Sequence, residues 1–207
     1  VADYAMNRRG LTISFAHIPK TIDNDLPLPE GIPTFGFETA RSLGTQLVSN
    51  LMEDAKTTGR WFIAVAMGRT AGHLALGMGK SAGATVTVIP EEFPLGEPVP
   101  MSLIVDILTG AIIKRLASGR KYGVAVVAEG LLERIREEDL KALSCIEHDD
   151  HGHVRYAEIS FSSVLKREVQ ANLTSLGIKM DITNKEIGYE VRCATPNAFD
   201  VEYTRNL

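Results

Sequence analysis

Residues Trp61–Ala66 read WFIAVA, and residues Gly123–Ala128 read GVAVVA. Both runs are apolar at every position, which is typical of strands that are covered on both faces, as in a parallel sheet. Two further apolar runs, Leu11–Phe15 and Thr85–Ile89, are predicted to be strands of the same kind. Together the four runs predict one sheet that is buried on both sides.

Helical periodicity fills the intervals between these runs. Residues Phe37–Asp54 and Met101–Ser118 carry apolar side chains at spacings of three and four, and Gly119 follows the second stretch as a stop signal. The alternation of strands and helices indicates an α/β fold, with a parallel, doubly wound, Rossmann-like sheet and helices on both faces.

The pattern becomes more polar after Gly130. The elements predicted there are a charged helix over about Glu133–Leu143, a strand over Val154–Ser160, a helix over about Ser163–Ser175, a final strand over Glu186–Arg192, and a helix over Phe199–Leu207 that is cut off before its end. Between the first two lies the polar sequence HDDHGH, residues 148–153, which we do not predict to be a metal site because a polar loop rarely makes several ligands converge.

Composition excludes several classes of function. The 207 residues are 44% hydrophobic and carry a net charge of −4, so they have no general attraction for nucleic acid. No apolar run is long enough to cross a membrane. Cys145 and Cys193 lack the spacing of a disulfide framework, which favours a reducing, cytoplasmic location. The start at Val1, without an initiator methionine or a signal-peptide pattern, predicts an excised part of a longer protein.

Ligands of such sheets gather at the carboxyl ends of the strands, where loops meet helix N-termini. The first loop that passes this filter, HIPKTIDNDLPL at residues 17–28, combines Lys20 and Thr21 with Asp23 and Asp25. Such a loop suits phosphoryl transfer, because one carboxylate takes a hydroxyl proton, another holds a divalent cation and a lysine offsets phosphate charge. Taken alone, the loop is more typical of an Asx-rich turn with solvated charges.

Two more loops pass the same filter. Met67-Gly68-Arg69-Thr70-Ala71-Gly72 joins an apolar strand to a helix, and its glycines and arginine suit a phosphate or a hydroxylated sugar. A purely structural turn explains this segment equally well. The third loop begins with Glu129, directly after GVAVVA.

Taken together, these segments resemble the phosphofructokinase family. The matching segments, in the family's order and spacing, are PKTIDNDLPL from Pro19, GFETA from Gly36, RWFIAVAMGRTAGHLAL from Arg60, IPEE from Ile89, VVAEG from Val126 and IGYEVRCATPNAFD from Ile187. The resemblance extends over nearly the whole chain, and the combination of PKTIDND with MGRxAGxLAL is highly specific.

The resemblance implies a role for each matching residue. Asp23 matches the base that deprotonates the 1-hydroxyl of fructose 6-phosphate, and Lys20, Thr21 and Arg69 match its catalytic neighbours, with Asn24 in the same loop. Asp25 matches the carboxylate near Mg²⁺. The residues that match sugar-phosphate-binding positions are Asp25, Arg60, Met67, Gly68, Arg69, Glu129, Tyr189 and Arg192.

The implied activity is that of a glycolytic 6-phosphofructokinase, which converts fructose 6-phosphate to fructose 1,6-bisphosphate. Lys20 stands where many ATP-dependent bacterial relatives have glycine, whereas pyrophosphate-dependent members and some ATP-dependent ones have lysine, and its ammonium would occupy the place of the α-phosphate of ATP. Pyrophosphate is therefore favoured over ATP as the donor. Tyr189 replaces a histidine of those relatives, so phosphate binding should depend less on pH near neutrality.

The resemblance also implies a homo-oligomer, a dimer or a tetramer, in which Arg60 reaches the 6-phosphate bound by a neighbouring subunit. Alternatively, Arg60 has no role in binding and is a solvated charge that precedes a strand. By analogy, residues 1–36 are a remnant of a first, donor-binding lobe with the catalytic loop, residues 37–190 form the second, sugar-phosphate-binding lobe, and residues 191–207 return toward the first lobe.

The family's glycine-rich donor loop, GGDD or GGDG, is absent from this sequence. We therefore expect the isolated chain to have negligible kinase activity. Two other functions stay open: a non-catalytic, sugar-phosphate-binding regulatory subunit, and a kinase of another sugar phosphate such as sedoheptulose 7-phosphate.

Overall fold

The computed structural model describes residues 1–142 and 160–206. Within these residues, four strands form one parallel sheet in the order β2-β3-β1-β4: β1 (Trp61–Ala66), β2 (Val86–Val88), β3 (Gly123–Ala128) and β4 (Ile182–Ile187). Ala66 of β1 lies opposite both Ala128 of β3 and Ile187 of β4. Three strands therefore end at the same level, and the loops that follow them leave from one edge of the sheet.

The helices of the described residues are α1 (Phe37–Thr58), α2 (His73–Ala82), α3 (Met101–Ala117), α4 (Glu137–Ala142), α5 (Phe161–Ser175), α6 (Tyr189–Arg192) and α7 (Ala198–Arg205). Short 3₁₀ helices cover Pro90–Glu92 and Glu129–Arg134, and a π-helical turn covers Tyr4–Arg8. None of the helices in this part of the chain is both long and apolar enough to cross a membrane.

Both faces of the sheet are buried because successive strand side chains point to opposite sides. Trp61, Ile63 and Val65 of β1 belong to a core with α3 and α5. The alternate β1 residues, Phe62, Ala64 and Ala66, belong to a second core with α1 and α2. The predicted class, a parallel sheet with helices on both faces, is confirmed.

Most of the predicted elements form close to their predicted bounds. β1 and β3 begin and end at the predicted residues, β2 is a shorter version of Thr85–Ile89, and α1, α3, α5 and α7 occupy the predicted helical stretches. The predicted charged helix divides into a 3₁₀ helix that ends at Arg134 and α4. The predicted strand at 154–160, the HDDHGH sequence and Cys145 lie outside the described residues, apart from Ser160 at the start of α5.

Two predicted strands are wrong. Residues Leu11–Phe15 form no strand, and Leu11, Ile13 and Phe15 are exposed. An apolar run becomes a strand only where a sheet offers it a partner, and within the described residues these positions have none. The predicted strand Glu186–Arg192 starts earlier, at Ile182, and stops at Ile187, where Gly188 turns the chain into α6.

Candidate active site

The turn after β1 joins the ends of three strands. The N–H of Met67 donates to the carbonyl oxygen of Ile187 at the end of β4, at 2.9 Å. The N–H of Gly68 donates to Oε2 of Glu129, directly after β3, at 3.1 Å. Gly68 has φ +153°, and a Cβ at this position would lie 2.9 Å from the carbonyl oxygen of Ala71. Only glycine fits this turn without strain.

The loop that holds Asp23 lies over the same turn. Oδ2 of Asp23 is 3.6 Å from Nε of Arg69, and Oδ2 of Asp25 is 3.6 Å from Nη2 of Arg69. The Asp23 residue is 7% exposed, whereas the Arg69 side chain is 77% exposed. One guanidinium therefore faces two carboxylates and still presents its outer side to solvent, where it is open to an anion.

Hydrogen bonds within the loop fix its shape. The hydroxyl of Thr21 accepts from the N–H of Asp23 at 3.1 Å, as in a local turn. The hydroxyl of Thr34 donates to the carbonyl oxygen of Thr21 at 2.6 Å, and the N–H of Thr34 donates to Oδ1 of Asn24 at 2.9 Å. The backbone of Lys20 pairs with Phe35, while the Lys20 residue is exposed.

Sequence reasoning missed two residues that support this loop, His73 of α2 and Glu91 of the 3₁₀ helix Pro90–Glu92. Nδ1 of His73 lies 2.8 Å from the carbonyl oxygen of Asn24, and its Nε2 lies 3.7 Å from Oε1 of Glu91. The same Glu91 oxygen accepts from the N–H of Gly72 at 2.8 Å. The strand-end filter could have found Glu91, since it follows the predicted strand Thr85–Ile89.

The end of β4 carries the two predicted phosphate-binding residues. Tyr189 is 71% exposed, and the guanidinium carbon of Arg192 lies 5.9 Å from the centroid of its ring. The side chain of Met67 packs against Gly188, the residue before Tyr189. Tyr189 and Arg192 thus stand at the same sheet edge as Gly68 and Glu129.

Glu190 fixes the turn that presents Tyr189. Its Oε2 accepts from the N–H of Gly188 at 3.0 Å, and its Oε1 lies 3.3 Å from Nζ of Lys185. Burial raises the pKa of Glu190, but hydrogen bonds from its own N–H and that of Gly188, together with Lys185, outweigh burial. The net pKa of Glu190 lies below the usual 4.5, so the group is a carboxylate at neutral pH.

Arg60 lies away from this cluster. It precedes β1 and therefore stands at the amino ends of the strands, opposite the site, where its Nε is 3.7 Å from Oδ2 of Asp181. The structure thus brings together Asp23, Asp25, Met67, Gly68, Arg69 and Glu129, puts Tyr189 and Arg192 at the same edge, and separates Arg60 from them.

Asp25 has an oxygen that suits a divalent cation. Its Oδ1 is buried and has no hydrogen-bond partner. A free carboxylate oxygen is the ligand type that Mg²⁺ prefers, and Mg²⁺ commonly uses one or two carboxylates together with water and substrate phosphates. Among residues 1–142 and 160–206, no group of three or more His, Cys, Asp or Glu side chains could hold a metal. Asp25 therefore fits as a protein ligand to such an ion.

The fold and the site together define an α/β protein with a polar edge, built from the carboxyl ends of parallel strands, that suits an anionic, hydroxyl-bearing ligand. The chain belongs to the phosphofructokinase family, whose model, described as Phosphofructokinase, matches residues 2–206.

Named relatives support this assignment. The pyrophosphate–fructose 6-phosphate 1-phosphotransferase of Thermotoga maritima is 52% identical over 197 residues, which cover 94% of this chain and 46% of that protein. The protein of the same name from Naegleria fowleri is 54% identical over 198 residues, which cover 92% of this chain and 45% of that protein. The chain thus spans about half the length of the curated relatives that it matches. The predicted resemblance to the family and to its pyrophosphate-dependent branch is confirmed.

A solved structure has the same fold. The crystal structure of the pyrophosphate-dependent phosphofructokinase from Marinobacter aquaeolei superposes with a TM-score of 0.66 at 21% identity, covering 97% of this chain and 44% of that one.

Proposed function

We propose that this chain forms the sugar-phosphate-binding part of a 6-phosphofructokinase that uses pyrophosphate as the phosphoryl donor. The observation that carries the proposal is the buried Asp23 carboxylate facing Arg69 at the strand ends. Because the chain spans about half the length of its relatives, the proposal concerns the complete enzyme to which this chain contributes. Residues 1–36 and 191–207 belong to its donor-binding lobe, and residues 37–190 form its second lobe.

Asp23 acts as the general base in this reaction. Its carboxylate accepts the proton of the 1-hydroxyl while that oxygen forms a bond to phosphorus, and the bond from phosphorus to the bridging oxygen of pyrophosphate breaks to release phosphate. Arg69 lies 3.6 Å from the same carboxylate and stabilises the negative charge of the transferring group. Base catalysis of this kind contributes about 10²- to 10⁴-fold.

The remaining residues bind and orient the sugar phosphate. Glu129 offers a carboxylate to sugar hydroxyls and is held in place by the N–H of Gly68. Arg192, whose guanidinium lies over the Tyr189 ring, supplies a cation for the 6-phosphate, and Tyr189 supplies a hydroxyl. The exposed side of Arg69 extends this anion-binding surface.

Lys20 and the two named relatives support pyrophosphate rather than ATP as the donor. Asp25, through its unpartnered Oδ1, would hold Mg²⁺. When bound, Mg²⁺ neutralises charge on the donor phosphates. We further propose a cytoplasmic homo-oligomer, with Arg60 serving the site of a neighbouring subunit.

The substitution Asp23→Asn in the complete enzyme tests the proposal. We expect kcat with pyrophosphate to fall about 10²- to 10⁴-fold, because the base is lost, while the Kd for fructose 6-phosphate changes by less than about threefold. Asp54→Asn is the matched control, since Asp54 is exposed on α1, away from the strand ends. Fructose 6-phosphate binding without turnover in the wild-type enzyme, or equal losses in both variants, would contradict the assignment.

A further inference from the structure

Asn24 has an unusual backbone conformation. Its φ is +54°, and among the described residues it is the only one with a positive φ that is not glycine. Asparagine tolerates this left-handed conformation better than most residues, but the conformation persists only where neighbouring groups hold it. Asn24 separates Asp23 from Asp25, so its conformation decides whether both carboxylates reach Arg69.

Thr34 holds Asn24 by its side chain. The N–H of Thr34 donates to Oδ1 of Asn24 at 2.9 Å, and the Thr34 hydroxyl donates to the carbonyl oxygen of Thr21 at 2.6 Å. Thr34 is 1% exposed, so water does not compete for these bonds. The turn from Thr21 to Asn24 is thus tied at both ends to one residue.

The segment that carries Thr34 is itself anchored. The N–H of Phe35 donates to the carbonyl oxygen of Pro19 at 2.9 Å, and the N–H of Gly36 donates to Oδ1 of Asp200 at 2.9 Å. Asp200 is fully buried. Thr34 is therefore itself held in place and can fix the position of Asn24, which a positioning residue has to do.

His73 holds Asn24 from the opposite side by its main chain. Since a carbonyl oxygen only accepts, Nδ1 of His73 carries the proton that is donated to the Asn24 oxygen, at 2.8 Å. His73 is the first residue of α2, and its other nitrogen faces Glu91. The imidazole thereby joins the loop to the helix that follows the Met67–Gly72 turn.

We propose that Thr34 and His73 are positioning residues that clamp Asn24 from two sides and so direct Asp23 and Asp25 toward Arg69. This inference rests on the proposed function for its kinetic consequence. Neither residue touches Arg69 in the contacts above, and both act through Asn24. Misplacing a catalytic group by about 1 Å costs up to about 100-fold in rate.

Thr34→Val and Thr34→Ser form a matched pair for the kinetic test, because valine keeps the shape and serine keeps the hydroxyl. In the complete enzyme we expect Thr34→Val to lower kcat about 10- to 100-fold with KM for fructose 6-phosphate nearly unchanged, and Thr34→Ser to keep most of the activity. In an Asp23→Asn background, Thr34→Val should lower kcat by a clearly smaller factor than in the wild-type background, since no base remains to be positioned and only the effect through Asp25 persists. An unchanged kcat in Thr34→Val, or the same loss in both backgrounds, would overturn the clamp.

A second measurement does not depend on turnover. Amide hydrogen exchange over residues 21–25 should accelerate in Thr34→Val and in His73→Phe, and stay close to wild type in Thr34→Ser and in His73→Gln, whose amide can still donate. If the wild-type enzyme fails to phosphorylate fructose 6-phosphate, the proposed function is wrong, and this exchange pattern still decides the inference. Unchanged exchange in both Thr34→Val and His73→Phe refutes the clamp.

Discussion

Gly68 links backbone geometry to substrate recognition. Its φ of +153° belongs to a region that side chains rarely adopt, and its N–H holds Glu129 at 3.1 Å. Alanine at this position meets the carbonyl oxygen of Ala71 and carries about 1–3 kcal/mol of backbone strain. We expect Gly68→Ala to shift this N–H away from Glu129 and to raise KM for fructose 6-phosphate about tenfold or more, measured by steady-state kinetics.

Gly110 provides the control for this substitution. It lies inside α3, and a Cβ there would meet nothing within 4 Å. Gly110→Ala should leave KM unchanged and raise helix stability slightly, by about 0.5–1 kcal/mol. If both variants raise KM for fructose 6-phosphate equally, the effect of Gly68→Ala does not come from the backbone conformation of Gly68.

How far individual site residues could be predicted depends on where their partners lie. Arg69 and Glu129 stand in loops that follow β1 and β3, as the strand-end criterion requires, and the structure joins these loops. The Asp23 loop meets that criterion only through the predicted strand Leu11–Phe15, which does not form, yet the loop lies beside Arg69. Thr34 and His73 carry no such signal, because each acts through Asn24, which is 10 and 49 residues away in sequence. A hydrogen bond between distant segments leaves no local pattern in the chain.

At the scale of elements, burial decided which strands were predictable. β1 and β3 are buried at every position, so their sequences are uniformly apolar. β4 is an outer strand of the sheet and has only one neighbouring strand. A search for apolar runs therefore does not find it, because its sequence includes the polar residues Thr183, Asn184, Lys185 and Glu186. The helices were predictable because each of the long ones buries one apolar stripe.

α7 contributes a cap to α1. The Asp200 carboxylate accepts from the N–H of Gly36 and from that of Thr39, each at 2.9 Å, and from the Thr39 hydroxyl. It also lies at the positive end of the α1 dipole. Asp200→Ala removes these bonds from a buried position, so we expect the free energy of unfolding in urea to fall by about 2–4 kcal/mol.

Asp200→Asn refines this prediction. In this variant an amide donor replaces one carboxylate oxygen and faces the same N–H groups. The free energy of unfolding of Asp200→Asn should therefore lie between those of the wild type and Asp200→Ala. Asp54→Ala, on the exposed face of α1, should change the unfolding free energy by less than about 0.5 kcal/mol. A loss below about 1 kcal/mol for Asp200→Ala would contradict the role of this cap.

At the scale of the whole molecule, the Asp200 contact bears on the predicted lobes. Gly36 closes the segment assigned to the first lobe, and Asp200 belongs to the segment predicted to return to it. Their hydrogen bond therefore joins the two segments that are assigned to the first lobe, beside the start of α1. The division into lobes stays a prediction, and a contact between its two first-lobe segments agrees with it.

Within the subunit, Arg60 lies near Asp181, at the end of β1 that is far from the candidate site. β1 separates it from Met67, and six strand residues span roughly 20 Å, which is more than an arginine side chain can bridge. If Arg60 binds the 6-phosphate, it must do so in the site of another subunit. Mixing subunits of two inactive variants tests this, because a closed oligomer can combine an intact Asp23 from one subunit with an intact Arg60 from the other.

We expect Asp23→Asn and Arg60→Ala enzymes to be nearly inactive alone at low fructose 6-phosphate. After dissociation and reassociation together, random pairing into dimers should restore about a quarter of the wild-type activity, since half of the dimers are hybrids with one intact site. Asp54→Asn mixed with Arg60→Ala is the control for the exchange step: because Asp54→Asn dimers keep both sites and hybrids keep one, about half of the wild-type activity is expected. If Arg60 serves the site of its own subunit, or no site at all, mixing restores nothing beyond the sum of the parents, because no new combination of Asp23 with Arg60 forms.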